Sequence, residues 1–280
     1  MNTNSFLETR GRTPITTAKV LCNRVTYGIM RKVVKMPLEG WLYSRWHWYR
    51  SPFSLRHQVL WSAPLQAWFR PEDEIAIECM FRLPSYEPVG WVSPKPGDVF
   101  LDVGAYIGWY TIQAASAVGP SGRVIAMEPD PANRRQLETN LSLNAISTCT
   151  IVPLAAWSKA GEIGWQSNDV PVWSKVGQTQ NTSTVRSEAI DALTAKLGLD
   201  DVNWIKMDIE GAEIEALQGA QRVLGQFHPT LFIEIHETLE PVTRFLKEFG
   251  YTIEQSEFDI LPDHHGWILA RYQCKKPFSF

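Results

Sequence analysis

The chain has 280 residues, 44% of them hydrophobic, and a formal net charge of -3 at pH 7. That length is enough to bury a substantial core, and it suits one soluble domain with an added segment. No run of eighteen apolar residues occurs, and the polar start MNTNSFLETRGR adjoins no apolar core, so neither a spanning helix nor a secretory signal is expected. The four cysteines, Cys22, Cys79, Cys149 and Cys274, are widely spaced with no C-x-x-C pair, which excludes a zinc knuckle or a disulfide framework and fits a cytoplasmic protein.

Charge is unevenly placed along the chain. Residues 1–70 hold eleven Lys or Arg against two acids, Glu8 and Glu39, leaving sixteen bases against twenty-eight acids in the rest. Within this extension Ala18, Leu21, Cys22, Val25, Ile29 and Val33 recur at helical spacing, with Lys19, Arg24, Arg31, Lys32 and Lys35 largely outside the stripe. An amphipathic helix over residues 18–35 follows, and after it Trp41, Tyr43, Trp46, Trp48, Tyr49, Phe53, Trp61, Trp68 and Phe69. Such a helix packs on an acidic protein body or a second subunit, or lies on an anionic membrane such as the inner membrane face. Nucleic acid is disfavoured, because no RNP, helix-turn-helix or zinc pattern is present. Residues 74–83 alternate as a strand and 84–96 form a proline-rich connection, placing the boundary between the extension, 1–73, and a second domain, 74–280, with its core at 97–272.

The stretch VFLDVGAYIG, Val99 to Gly108, reads as a buried strand ending in Asp102 and opening through Gly104, Ala105, Tyr106 and Gly108 into a helix at 109–118. Its D-x-G-x-x-x-G spacing departs from the G-x-G-x-x-G of pyrophosphate sites, and a carboxylate there is unwelcome to phosphate. It suits a ligand with ammonium, sulfonium or hydroxyl groups, and S-adenosylmethionine carries all three. A second strand, Arg123 to Met127, ends in Glu128, about twenty residues on, where an acid can accept both ribose hydroxyls. Asp130 before Pro131 reads as a helix cap.

The elements that follow are a helix at 133–144, a strand at 148–157, a helix at 189–197, a strand at 203–209, a helix at 213–224, a strand at 230–237, a helix at 241–249, and strands at 251–256 and 267–272. Alternation of this kind predicts a doubly wound α/β sheet, with the last two strands an antiparallel hairpin. Ligands in such sheets lie beyond the strands' carboxyl ends, which directs attention to Asp102, Glu128, Asp208 and the Glu234–Glu237 group. Ala155, Ala156 and Trp157 end the third strand, with room for an adenine ring and a backbone N–H to bond it. Glu213 is assigned to the first turn of its helix, Glu210 to the substrate side, and His264 and His265 to a solvated turn. Residues 166–187 interrupt the alternation and read as a substrate-binding loop or a surface insertion.

Five motifs in order, DVGAYIG, MEPDP with ETNLSLN, LAAWSKAGE, MDIEGAE and IEIHE, carry a resemblance over residues 97–272 to the FkbM family of S-adenosylmethionine-dependent methyltransferases. The resemblance implies a seven-stranded Rossmann-like sheet and methylation of hydroxyl groups on sugars or polyketides. The cofactor residues expected are Asp102, Gly104, Ala105, Tyr106, Gly108, Glu128, Ala156 and Asp208. His236 is the candidate base, Asp208 its partner or a hydroxyl acceptor, and Glu234 the group fixing them. Asp208, Glu234 and His236 equally permit a divalent cation such as magnesium, which no sequence pattern demands. The alternatives to an O-methyltransferase are an N-methyltransferase and a non-catalytic protein that binds a membrane or partner through its basic extension.

Overall fold

The structure, a computed structural model, describes residues 10–22, 54–73, 76–77, 88–166, 175–176, 183–258 and 265–273. The expected helix beyond residue 22, the aromatic run from Trp41 to Phe53, residues 167–174 and 177–182 of the expected loop, and His264 lie outside these. The chain forms two compact units, residues 1–89 with 135–146, and residues 90–134 with 147–280. Compactness thus divides the chain after Val89, whereas the composition shift divides it after residue 73.

In the first unit, β1 (Arg10–Gly11), β2 (Leu60–Ser62) and β3 (Ala67–Phe69) make an antiparallel sheet. Trp61 and Trp68 face each other across it edge to face at 5.2 Å, with the Arg10 guanidinium 5.3 and 5.8 Å from their ring centres. Residues 14–22 are helical, started by Thr13, whose hydroxyl accepts the Thr16 N–H at 3.1 Å, and by Pro14 in the first turn. Thr16 and Val20 are its buried positions; Ala18, Leu21 and Cys22, from the expected apolar stripe, are exposed. Gln136, Asn140 and Asn144, four residues apart on one helical face, accept the backbone N–H groups of Glu72, Arg70 and Trp68, so amide side chains cover the free edge of β3. The expected strand at 74–83 is corrected at Ala76 and Ile77, which are helical: the Asp73 carboxylate caps the Ala76 N–H at 2.7 Å and outweighs the alternation.

The second unit is built on seven strands: β4 (Val99–Val103), β5 (Arg123–Met127), β6 (Cys149–Val152), β11 (Trp204–Met207), β12 (Thr230–His236), β13 (Tyr251–Phe258) and β14 (His265–Tyr272). Their order is β13-β14-β12-β11-β4-β5-β6, parallel except for β14, which runs against both its neighbours. This is the doubly wound α/β arrangement expected, hairpin included. Helices α1 (Trp109–Val118), α3 (Ile190–Lys196), α4 (Glu213–Gln218), α5 (Gln221–Phe227) and α6 (Leu239–Glu248) follow strands of this unit, and α2 (Pro131–Leu143) begins in it and passes at Arg135 into the first unit. Leu101, Val103, Ile125, Ile205, Met207, Leu231 and Ile233 are 0 or 1% exposed, because helices cover both faces of a parallel sheet. Asp130 caps α2 as expected, accepting the Ala132 and Asn133 N–H groups at 2.6 and 3.0 Å.

Three departures from the sequence reading have local causes. The single strand expected at 148–157 is broken at Pro153, which cannot donate to a ladder, and β7 (Ala155–Ala156) leaves for another sheet. That sheet takes up the described residues of the expected loop: β8 (Gly161–Gln166), β9 (Lys175–Val176) and β10 (Ser183–Glu188) join β7 in the order β7-β10-β8-β9. The single helix expected at 213–224 is two, parted at Gly219, where a Cβ would lie 2.1 Å from the Trp157 carbonyl oxygen.

The tightest approach in the sheet lies at its functional end. Gly104 has φ +81°, and a Cβ on it would stand 1.9 Å from the backbone oxygen of Asp208. We expect Gly104→Ala to lower the unfolding free energy by several kcal/mol, the range of a strained backbone combined with overpacking, about 1–3 kcal/mol for each. Gly90, with open space about it, serves as the control, and Gly90→Ala should change stability by less than about 1 kcal/mol. Chemical denaturation of both variants checks this; equal stability of Gly104→Ala and the parent protein contradicts the packing described.

Candidate active site

Strand ends deliver the polar residues of the second unit. At the end of β4, Asp102 is fully buried, accepts the Thr111 hydroxyl at 2.5 Å, and lies 3.4 Å from Lys206 Nζ. Burial pushes its carboxyl upward, and the Lys206 charge and the Thr111 bond oppose that. Asp102, expected among the cofactor residues, is thus turned into the sheet toward Thr111 and Lys206.

The turn itself is closed by its own amides. Gly104 and Ala105 donate to the Met127 carbonyl at 3.0 and 3.1 Å, Tyr106 N–H donates to Glu128 Oε2 at 2.8 Å, and Gly108 donates to Ala105 at 2.8 Å. Tyr106 adopts φ 49°, a left-handed conformation uncommon outside glycine. With these four donors engaged within the chain, the turn does not offer them to a pyrophosphate. Glu128 Oε1 accepts Asp130 N–H at 2.9 Å and Asn133 Nδ2 at 3.3 Å. Burial nevertheless pushes its carboxyl up to about 7. Ala156 is buried in the core, and the Trp157 N–H expected to meet an adenine donates instead to Glu188 O at 3.0 Å.

On the other side of Gly104, β11 and β12 bring an imidazole among carboxylates. His236 Nε2 lies 3.7 Å from Glu210 Oε2, 3.9 Å from Asp208 Oδ1 and 4.0 Å from Glu234 Oε2, with the ring 4% exposed. Its other nitrogen, Nδ1, is 3.2 Å from Glu213 Oε1. Glu213 is wholly buried; Oε1 also accepts the Gly211 N–H at 2.9 Å and Oε2 accepts the Thr238 hydroxyl at 2.7 Å. A carboxylate on Nδ1 holds the proton there and leaves Nε2 as the lone-pair nitrogen facing the acids. Burial pulls the imidazole pKa down, but the Glu213 bond and the charges of Asp208 and Glu210 outweigh it, and the net direction is up. Glu210 and Glu237 have φ 57° and 62°, so two non-glycine residues flanking the imidazole are held in left-handed backbone.

Lys206 Nζ joins the two sides, donating to the Gly104 carbonyl at 2.8 Å and lying 3.7 Å from Asp208 Oδ2. Asp208, Glu234 and His236 offer ligand atoms within 4.8 Å of one another, close enough to share one cation. The side chain in hydrogen-bond contact with the imidazole is Glu213, assigned from sequence only to a helix turn, while Glu234, expected to fix the imidazole, lies 4.0 Å from Nε2. Lys206 was likewise unread; its signal is a lysine inside the apolar strand Trp204–Met207. His265 does not lie in a turn: it opens β14, pairs in register with His236, and meets its ring edge to face at 4.6 Å, while staying exposed.

The FkbM methyltransferase domain model matches residues 102–253, more than half of the chain and all of these residues but His265. The chain belongs to the FkbM methyltransferase family. This FkbM methyltransferase domain is 29% identical over 163 residues to the hexuronic acid methyltransferase AglP of Haloferax volcanii, covering 56% of this chain and 64% of that protein. It is 26% identical over 152 residues to Methyltransferase 1 of Beauveria bassiana, covering 46% of this chain and 61% of that one. The chain thus spans less than two thirds of the length of either relative. An FkbM methyltransferase crystal structure from Methylobacillus flagellatus KT shares the fold at TM-score 0.50 and 24% identity, over 71% of this chain and 52% of that one.

The Glu213 bond generates a prediction. Glu213→Gln should lower the His236 pKa, read by NMR titration of the imidazole, and cost about 1–3 kcal/mol of stability through the buried bonds it weakens. The folded pKa lies above the ordinary 6.5, so the stability His236 adds is complete below pH 6.5 and is lost as pH rises through the folded value. The stability gap between the parent and the variant should narrow over that same rise. An unmoved imidazole titration contradicts the orienting role.

Proposed function

We propose that this FkbM-family protein transfers the methyl group of S-adenosylmethionine to a hydroxyl of a sugar or another polyoxygenated small molecule. The observation that carries the reading is the Glu213–His236 pair, a buried carboxylate on Nδ1 with Nε2 turned to partly exposed carboxylates, two strands along the sheet from the Gly104 turn and three from Glu128.

The donor set fits the cofactor. Glu128 offers two carboxylate oxygens at the second strand's end, Oε2 accepting a single bond from the chain, which suits the paired hydroxyls of a ribose. Engagement of the turn amides fits a ligand without a pyrophosphate. When bound, S-adenosylmethionine supplies a methyl group already activated by its sulfonium. The chain's task is then to align the acceptor oxygen and remove its proton as charge develops. His236 takes that proton at Nε2, and Glu213, Asp208 and Glu210 stabilise the imidazolium that results.

Three carboxylates around Nε2 favour an acceptor that arrives neutral, or as an amine, over one presenting a carboxylate at the methylated position. The hexuronic acid named for the Haloferax relative supports a sugar as the acceptor class. A second reading is favoured by the grouping of Asp208, Glu234 and His236 within reach of one cation, which would polarise the hydroxyl instead. Imidazole nitrogen with two carboxylates suits manganese or zinc better than magnesium. Because Nε2 is both base and ligand, the two readings exclude each other and are separable by chelation.

The test is calorimetric titration with S-adenosylmethionine and with NAD, followed by transfer of labelled methyl to methyl glucoside, methyl glucuronide and methyl glucosaminide, with and without EDTA. We expect saturable binding of the first ligand only, with methyl ether formed on the glucoside and no effect of EDTA. N-methylation of the amino sugar favours the amine reading, loss on EDTA with recovery on manganese favours the metal reading, and a folded protein that binds no S-adenosylmethionine removes the proposal. His236→Ala should lower turnover by about 10²- to 10⁴-fold with cofactor affinity kept. Hydroxyl donors prefer the ionised Glu128, whose carboxyl sits at about 7, so cofactor affinity should rise with pH up to that value, by at most about tenfold per unit. Glu128→Gln should flatten the dependence.

A further inference from the structure

A buried ammonium needs partners, and Lys206, 3% exposed, has them from both sides of the site. The register of β11 on β4 sets Lys206 opposite Asp102. From there its Nζ donates to the Gly104 carbonyl at 2.8 Å, lies 3.4 Å from Asp102 and 3.7 Å from Asp208, and stands 5.3 Å from the Tyr110 ring centre. Asp102 is wholly buried and Asp208 is 27% exposed, so the same charge neutralises one carboxylate inside the sheet and holds another at the opening. The backbone packing of Gly104 on Asp208 brings the two loops together, but fixes neither the carbonyl of the first nor the carboxylate of the second.

We propose that Lys206 is a positioning residue, one ammonium that ties the Gly104 turn to the Asp208 carboxylate and so sets the acceptor side in register with the cofactor side. The inference rests on the methyl-transfer reading. In-line displacement tolerates little misplacement, and an error of about 1 Å costs about 10²-fold in rate. Lysine suits this task better than arginine: a compact ammonium can reach three oxygens from different directions, whereas a planar guanidinium favours paired contacts in one plane.

Lys206→Ala tests the assignment. Turnover should fall about 10²-fold while the calorimetric affinity for S-adenosylmethionine changes much less, and added ethylammonium or propylammonium should restore turnover saturably by occupying the vacated space. Lys206→Met fills that space and should not be rescued. Because a lone buried Asp102 carboxylate can prevent folding, the double variant Asp102→Asn, Lys206→Met removes both charges together. It should fold and bind S-adenosylmethionine, yet turn over as slowly as the single variant. Turnover near that of the parent in the folded double variant overturns the inference, as does a folded Lys206→Ala whose loss no alkylammonium recovers. Failure of the parent protein to bind S-adenosylmethionine or to methylate any glycoside is a different result, which removes the methyl-transfer reading and this inference with it.

Discussion

The meeting of β4 and β11, with Gly104 pressed on the Asp208 carbonyl, is the constraint on which the site depends. A parallel sheet covered by helices on both faces has no place for polar side chains along its length, so they collect at the carboxyl ends, where the loops diverge. Here two of those loops cannot diverge at once, because no atom separates them. The turn that carries Tyr106 and the loop that carries Asp208, Glu210 and Glu213 are therefore held against each other at the backbone, and β12 needs only its normal pairing with β11 to set His236 beside them.

Two buried acids of the same edge show how partners decide behaviour. Asp102 and Glu128 are both pushed upward by burial. Asp102 faces an ammonium, and an ion pair of this kind is fixed: losing either member strands the other. The Glu128 carboxylate is held by two backbone amides and one side-chain amide, while the Arg134 guanidinium donates to its backbone carbonyl at 2.9 Å, and burial holds the carboxyl at about 7. One carboxylate serves the architecture, and the other remains able to respond to what binds beside it.

Much of this was legible in the sequence because the strands are short, apolar and closed by turn residues, and because an acid at a strand end stands out against its neighbours. Asp102, Glu128, Asp208, Glu234 and His236 were found that way. What sequence could not show was contact across strands. Glu213 reads as an ordinary acid in a first helical turn until β12 places His236 and Thr238 against it. Lys206 reads as an exception in an apolar run until its register against Asp102 is known. The stretch 166–187 reads as irregular because Gly, Ser and Asn dilute its alternation, yet its last residues, Ser183 to Ser187, pair residue by residue with Gly161 to Trp165. Proline at 153 and glycine at 219 were visible, but their consequence depends on what approaches them.

The strand order also has a temporal side. β13 is made before β14, yet in the described sheet its pairing partner is β14, which lies between it and β12. During synthesis β13 therefore has α6 to pack on but no strand to pair with, and β12 keeps an open edge until β14 is made. Such an edge is a template for intermolecular pairing. His236 lies at the end of that same edge, so a nascent or truncated chain lacking β14 would carry its catalytic candidate on an unpaired strand edge. Pairing of β14 with β12 and β13 closes both exposures in one step.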